Sequence, residues 1–341
     1  VERAAPGPWR IFVHLEPAAG PMRAFDFSPV EGLLPIASWQ PGTWVEDRME
    51  IFIGKRWATG PAMLWGGVYA GDQRMRVVDA PEERTDGRDR ILLGMQTLWN
   101  GPQNDSEFVT NGYKGLFYHF LDINSGYRAW SCELSTIDTA LLMAGVLDAK
   151  QYFDTDDPGD QQVRALADSL YYRVDWEFAR DEGNGIRMGW KPSTGFSEFG
   201  NWVGYNEAMI LYILALGSPT HPVPWYTWSY WTTGYNWQTQ YGQTYLVFPP
   251  LFGHQYSHCW IDFSDMKDAY MDLRGITYFE NSRRATLAAR EYCIANPLGW
   301  DGYGEDLWGL TASDDPGGYL AHGAPPAQND NGTITPTAAA S

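Results

Sequence analysis

The chain has 341 residues, with 24 Lys and Arg against 42 Asp and Glu, a formal net charge of −18. So acidic a surface repels phosphate backbones and anionic membranes, which argues against nucleic acid and lipid partners and favours a neutral ligand. Charged residues at 19% and hydrophobic residues at 44% describe a globular protein with room for one large domain or two ordinary ones. The 17 Trp and 20 Tyr exceed what a core needs and offer flat apolar faces with a polar edge, the shape that stacks on sugar rings.

Residues 1–85 hold PAAGP, QPGTW and ATGP without a sustained period or clear caps, and are expected to form a divergent, irregular N-terminal segment. From residue 86 onward apolar residues recur at helical spacing. Helices are expected over 89–100, 134–152, 161–176, 203–216, 225–231, 260–273 and 278–295, separated by Gly- and aromatic-rich loops. Helices alternating with long loops fit an all-α toroid better than any βαβ pattern. No window approaches the ~18 apolar residues of a membrane span. The start, VERAAPGPWR, does not read as a signal peptide. Cys132, Cys259 and Cys293 are widely spaced among apolar residues and are expected to be buried free thiols.

The most informative stretch is NWVGYNEAMILYILALGSPTHP, residues 201–222. Its apolar run is stopped by Gly217, Ser218 and Pro219. Just before the run stands one carboxylate, Glu207, beside Trp202, Tyr205 and Asn206. A carboxyl group deprived of hydration stays protonated near neutrality, as a general acid for glycoside cleavage must. The competing reading is a first-turn glutamate favoured by the helix dipole.

In WSCELSTIDTA, residues 130–140, Ser135 and Asp138 have capping-box spacing, whereas Glu133 precedes the cap and is free to project into a cavity. In GHQYSHCWIDF, His254 and His258 are four apart, but Gln255 replaces the glutamate of the zinc-peptidase motif, so no metal is expected and hydrogen bonding to sugar hydroxyls suits the pair better. The loop at 296–316 sets Asp301, Glu305, Asp306, Asp314 and Asp315 among Trp300, Tyr303 and Trp308, a candidate site wall. Residues 154–165 begin like a calcium loop, but Pro158 and Ala165 stand where ligands are required, and a turn before a helix is expected instead.

YKGLFYHFLD at 113–122, ELSTIDTALLMAGVL at 133–147, GYNEAMILYILALGSPTHP, GHQYSHCWIDF, YFENSRRATLAAR at 278–290 and WGLTASDDP together resemble the glucoamylase-like domain of bacterial endo-β-1,2-glucanases, glycoside hydrolase family 144. That group is related to the transglycosylating domain of cyclic β-1,2-glucan synthases. The resemblance runs over residues 100–337 and implies an (α/α)6 barrel, incomplete at its N- and C-terminal ends, with residues 86–341 as the catalytic domain. The family's Gly-Leu-(Ile/Val)-Pro-Asp stretch and its Ser-Ile-Ala are echoed only by Gly32-Leu-Leu-Pro35 and Ile36-Ala-Ser38, and members continue into further helices beyond the segment matched by Gly332 to Ala338.

The resemblance implies cleavage of internal bonds in β-1,2-glucan or sophorooligosaccharides without cofactor or metal. Glu207 would be the acid, Glu133, Asp138 and Asp314 the other catalytic candidates, and His254, His258, Tyr205, Trp202, Trp308, Tyr118 and Asp330 the substrate-binding set. An inverting outcome, a monomer and a periplasmic or secreted location are expected. A retaining transglycosylase with Glu133 as nucleophile and a non-catalytic glucan-binding protein are the alternatives.

Overall fold

The computed structural model describes residues 10–17, 23–27, 62–70, 73–74, 87–123, 125–326 and 329–339. They divide into two compact units, Val1–Gly94 with Asp122–Gly126, and Met95–Leu121 with Tyr127–Ser341.

In the first unit β1 (Arg10–Pro17), β2 (Arg23–Phe27), β3 (Ala62–Ala70) and β4 (Gln73–Arg74) form an antiparallel sheet of order β2-β1-β3-β4. β1 runs against β3 from Arg10↔Tyr69 to Pro17↔Ala62. RIFVHLEP and AMLWGGVYA are rich in β-branched and aromatic residues, which suit a pleated surface. Among the described residues before 86 the regular structure is sheet; the Gly32-Leu-Leu-Pro35 stretch lies outside the described residues. The fold is helical, as expected, with short β pieces added to the helices. The division between the units falls inside α1 (Gly87–Asn100).

The second unit opens with a hairpin, β5 (Gly112–Tyr113) and β6 (Leu116–Tyr118). Its two turn residues, Lys114 at φ 57 and Gly115 at φ 79, are both left-handed, as a tight two-residue hairpin requires. A Cβ on Gly115 would come 2.3 Å from the Arg173 carbonyl oxygen, so only glycine fits. β6 pairs with β7 (Leu134–Ser135), which leads straight into α2 (Thr136–Tyr152). That pairing is why the helix starts after residue 134. Ser135 caps α2 by accepting from the Asp138 N–H at 3.2 Å, worth about 0.5–2 kcal/mol.

α3 (Pro158–Arg173) is capped by Asp157 and has Pro158 in its first turn, where the missing N–H costs nothing. The expected helix 161–176 therefore starts earlier and is broken at Asp175, which caps a separate α4 (Trp176–Ala179) through the Phe178 N–H at 2.9 Å. β8 (Gly189–Trp190) pairs with β7, completing a sheet of order β5-β6-β7-β8.

α5 (Met209–Leu216), apolar all round and almost wholly buried, stops at Gly217 as expected but begins well after residue 203. α6 (Tyr226–Thr232), the hairpin β9 (Trp237–Gln240) and β10 (Gln243–Leu246), and α7 (Phe252–Gln255) follow, α7 running on as a 3-10 turn over Tyr256–Cys259. α8 (Ala269–Arg274) is shorter than expected because Asp268 caps it at the Met271 N–H, 2.7 Å away. α9 (Tyr278–Ala295) matches its expected span, between Thr277, which accepts from the Glu280 N–H at 3.0 Å, and left-handed Asn296. A last hairpin joins β11 (Ala312–Asp315) to β12 (Gly318–Ala321).

The core lies where α2, α3 and α5 pack. Ala140, Met143, Val163, Ala167, Leu170 and Leu211 are fully shielded. Truncating Met143, Leu170 or Leu211 to Ala would cost about 2–5 kcal/mol. A second cluster gathers Ala285, Ala289, Tyr292 and Cys293 of α9 with Tyr245, Tyr303 and Leu310. Cys132 and Cys293 are buried free thiols, but Cys259, on the 3-10 turn, is exposed, against expectation. No helix of the described residues is long and apolar enough to cross a membrane.

Candidate active site

Two carboxylates, Glu133 and Asp138, meet at one imidazole beside the start of α2. β6 and β7 run in register, so the His119 N–H donates to the Glu133 carbonyl at 2.9 Å. The side chains follow: His119 Nδ1 lies 2.8 Å from Glu133 Oε1, and its Nε2 lies 3.5 Å from Asp138 Oδ2. Asp138 is delivered there by the cap, since its backbone N–H binds Ser135 Oγ and its Oδ2 accepts the same hydroxyl. The capping role predicted for Asp138 thus coexists with a place in the site. Its side chain keeps 41% of its exposure, enough to meet water.

Glu207 approaches from a different element. It sits in a turn rather than in the first turn of a helix, because Gly204 adopts φ 82 and Asn206 Oδ1 accepts the Ala208 N–H at 3.0 Å. Asn206 Oδ1 also accepts from Trp231 Nε1 at 3.4 Å. Ser257 closes the far side, its hydroxyl donating to the Glu207 carbonyl at 3.3 Å and accepting the Ile210 N–H at 3.1 Å. The backbone is thereby fixed. Glu207 Oε2 is buried and has no hydrogen-bond partner.

Burial pushes the Glu207 carboxyl up to about 7, and the negative charge of Asp138 adds to the rise. An Asp138 charge felt at Glu207 places the two carboxyls in one electrostatic neighbourhood. The hydroxyl of Tyr256, a half-exposed residue, is pushed up by its own burial and then by Tyr319 and Glu207. Tyr319 faces Asp314 across the β11–β12 hairpin, so that hairpin reaches the same region. Asp314 itself is exposed.

The other predicted residues are placed differently. His254 is 2% exposed, its ring 4.8 Å from that of Tyr205, and neither ring nitrogen makes a hydrogen bond of good geometry. Burial, helped by the charge of His258, pushes it down to about 3. Its ring packs against those of Tyr205 and Tyr245. His258 Nε2 lies 3.0 Å from Ser282 Oγ, which also bonds the Tyr205 hydroxyl at 3.0 Å. Burial pushes His258 down to about 4. His258 lines a cavity of about 330 Å³ with Cys259, Trp260, Asp262, Phe263 and Phe279, and none of the three carboxylates borders it.

Trp202 is buried and donates to Thr136 Oγ1 at 3.0 Å, while Tyr118 is buried under the Arg128 guanidinium, 4.7 Å from its ring. Trp308 packs on the α9 cluster. Asp330 accepts from the hydroxyls of Tyr292 and Tyr303 at 2.5 and 2.7 Å and from the Gly332 N–H at 3.0 Å, so its oxygens are already engaged. The imidazole between Glu133 and Asp138 is His119, which spacing did not single out although it lies inside YKGLFYHFLD, directly after β6, whose partner β7 is preceded by Glu133. Among the described residues no three His, Cys, Asp or Glu side chains are grouped to hold a metal ion.

Residues 200–341 match the family described as putative glucoamylase. That stretch resembles a glucoamylase-like domain. The chain is 31% identical over 259 residues to an exo β-1,2-glucooligosaccharide sophorohydrolase of Parabacteroides distasonis, covering 67% of this chain and 35% of that protein. The structure superposes on an endo-β-1,2-glucanase from Chitinophaga pinensis, solved with sophorotriose and glucose, with a TM-score of 0.66 and 30% identity over 74% of this chain and 60% of that one. A putative glucoamylase from Bacteroides fragilis gives a TM-score of 0.65 and 32% identity over 76% of this chain and 61% of its own. The chain thus spans only part of each relative's length. The matched stretch contains Glu207, Tyr256 and the β11–β12 hairpin, while His119, Glu133 and Asp138 lie before it in sequence.

Proposed function

We propose that this chain is a glycoside hydrolase cleaving internal bonds of β-1,2-glucan, with Glu207 as general acid. The observation that carries the reading is a carboxyl whose buried Oε2 has no hydrogen-bond partner and which burial, then the charge of Asp138, push up to about 7. Such a group is protonated when substrate arrives and can give its proton to the departing glycosidic oxygen. Asp138 remains in contact with solvent, so it activates water on the opposite side of the sugar while its charge steadies the positive charge growing on the ring. Glu133, tied to His119, orients the sugar beside that water. With this go an inverted product, an (α/α)6 closure of the helices, a monomeric state, and a periplasmic or secreted location where polymeric glucan is met. The activities of the relatives on β-1,2-linked glucose chains support the substrate class.

The test is incubation of purified protein with linear β-1,2-glucan, products being sized and the first-formed anomer read by NMR. Sophorooligosaccharides that vanish in Glu207→Gln are the expected result. Binding without cleavage would make the chain a glucan-binding protein instead, and a β-anomer as first product would assign retention with Glu133 as nucleophile.

A further inference from the structure

Trp130 is unused by the chemistry above. Its side chain is 84% exposed, which is unusual for so large an apolar group. Its backbone stands at φ 51 and that of Ser131 at φ 54, so two consecutive non-glycine residues are left-handed. Strain of that kind persists where surrounding bonds impose it. Here Arg128 supplies them, donating from Nε to the Cys132 carbonyl at 2.7 Å and from Nη2 to the Ser131 carbonyl at 3.0 Å. The indole is therefore held out in water by a braced turn.

Phe120, 44% exposed, lies 5.3 Å from Trp130 between ring centroids, the planes tilted by 57° into a shallow cradle. On its other side Phe120 stacks on His119 at 4.1 Å and 13°. The aromatic surface is thus continuous with the imidazole that bonds Glu133. We infer that Trp130 and Phe120 form a stacking subsite for one glucosyl unit of the substrate, adjoining the unit held at Glu133. The C–H face of a pyranose is flat and apolar with hydroxyls at its rim, which matches two exposed rings open to water. A neutral sugar also suits a chain of net charge −18. The inference rests on the glucan-hydrolase reading and adds to it the position of a second sugar.

The experiment compares wild type, Trp130→Ala, Trp130→Phe and Phe120→Ala on linear β-1,2-glucan and on β-1,2-oligosaccharides of increasing length. Trp130→Ala is expected to raise KM on long glucan about tenfold, equivalent to about 1.4 kcal/mol, with kcat changed far less than kcat/KM. Trp130→Phe keeps most of the wild-type KM, and the defect grows with chain length once the substrate reaches the subsite. A KM within about twofold of wild type for both alanine variants, a difference under about 0.5 kcal/mol, would overturn the subsite and leave the hydrolase reading standing. Failure of wild type to bind or cleave any β-1,2-glucan would overturn both. Trp130→Phe and Phe120→Ala keep the comparison decisive if the braced turn does not tolerate alanine.

Discussion

His119 Nδ1 lies 2.8 Å from Glu133 Oε1 while Nε2 of the same ring stands 3.5 Å from Asp138 Oδ2, so one imidazole spans two carboxylates. The strand register places His119 opposite Glu133, and the Ser135 cap places Asp138 within reach of the far nitrogen. The ring thereby bridges Glu133 and Asp138.

Removing that ring should loosen both acids without emptying the substrate groove. His119→Ala is expected to lower kcat on β-1,2-glucan by about 10–100-fold with KM little changed, the pattern of lost alignment rather than lost binding. His119→Gln, which can still reach Glu133, should recover part of the loss. A rise in KM with kcat intact would show that His119 holds sugar directly.

Glu207→Gln should reduce hydrolysis by about 10²–10⁴, the usual contribution of a general acid. Its stability effect has a sign that depends on pH. Glu207 is raised from 4.5 to about 7, so between those values the unfolded chain releases a proton that the folded one keeps. Stability therefore falls as pH rises through that window and levels off above about 7. Gln carries no charge to bury, so the variant should match wild type in melting temperature near pH 4 and exceed it at pH 8. Thermal melts at the two pH values check this; an equal difference at both would mean Glu207 is not a buried acid.

Asp138→Asn should move the alkaline limb of kcat/KM to lower pH. The limb reports deprotonation of Glu207, and Asp138 is the neighbouring charge that raises it after burial. Activity will fall as well if Asp138 is the base, so the readout is the midpoint of the limb, measured on residual rate. A midpoint unchanged from wild type would separate the two carboxyls and undo the shared site.

Much of the second unit was legible because its signals are local. Thr277 and Asn296 bound α9 by their own chemistry, and Gly217 stops α5. What failed depended on partners distant in sequence. Pairing of Leu134 and Ser135 with β6 delays α2, and an asparagine turn keeps Glu207 out of a helix that its apolar neighbours suggest. The site divides the same way. Glu207 could be picked from its lone carboxylate among aromatics, but His119 gains meaning only when a strand from elsewhere brings Glu133 beside it. His254 looked like half of a ligand pair, yet spacing does not reveal that Tyr205 covers it.

His254 gives a final test, on stability rather than rate. Its ring is 2% exposed between Tyr205 and Tyr245 and lacks a hydrogen bond of good geometry, and burial pushes it from 6.5 down to about 3. Between those values the unfolded chain takes up a proton that the folded one refuses, so stability is lost as pH falls through the window, by up to several kcal/mol. His258, pushed down to about 4, adds to the loss in the same direction. His254→Phe preserves an aromatic ring against Tyr205 and removes the titrating group. It should leave stability at pH 7.5 within about 1 kcal/mol of wild type, since no strong hydrogen bond is lost, and should flatten the acid limb between pH 6 and 4. Urea unfolding across that range reads the slope directly. A variant whose stability falls with acid as steeply as wild type would show that His254 is charged in the folded protein and reaches solvent, which would return it to the wall of the sugar site.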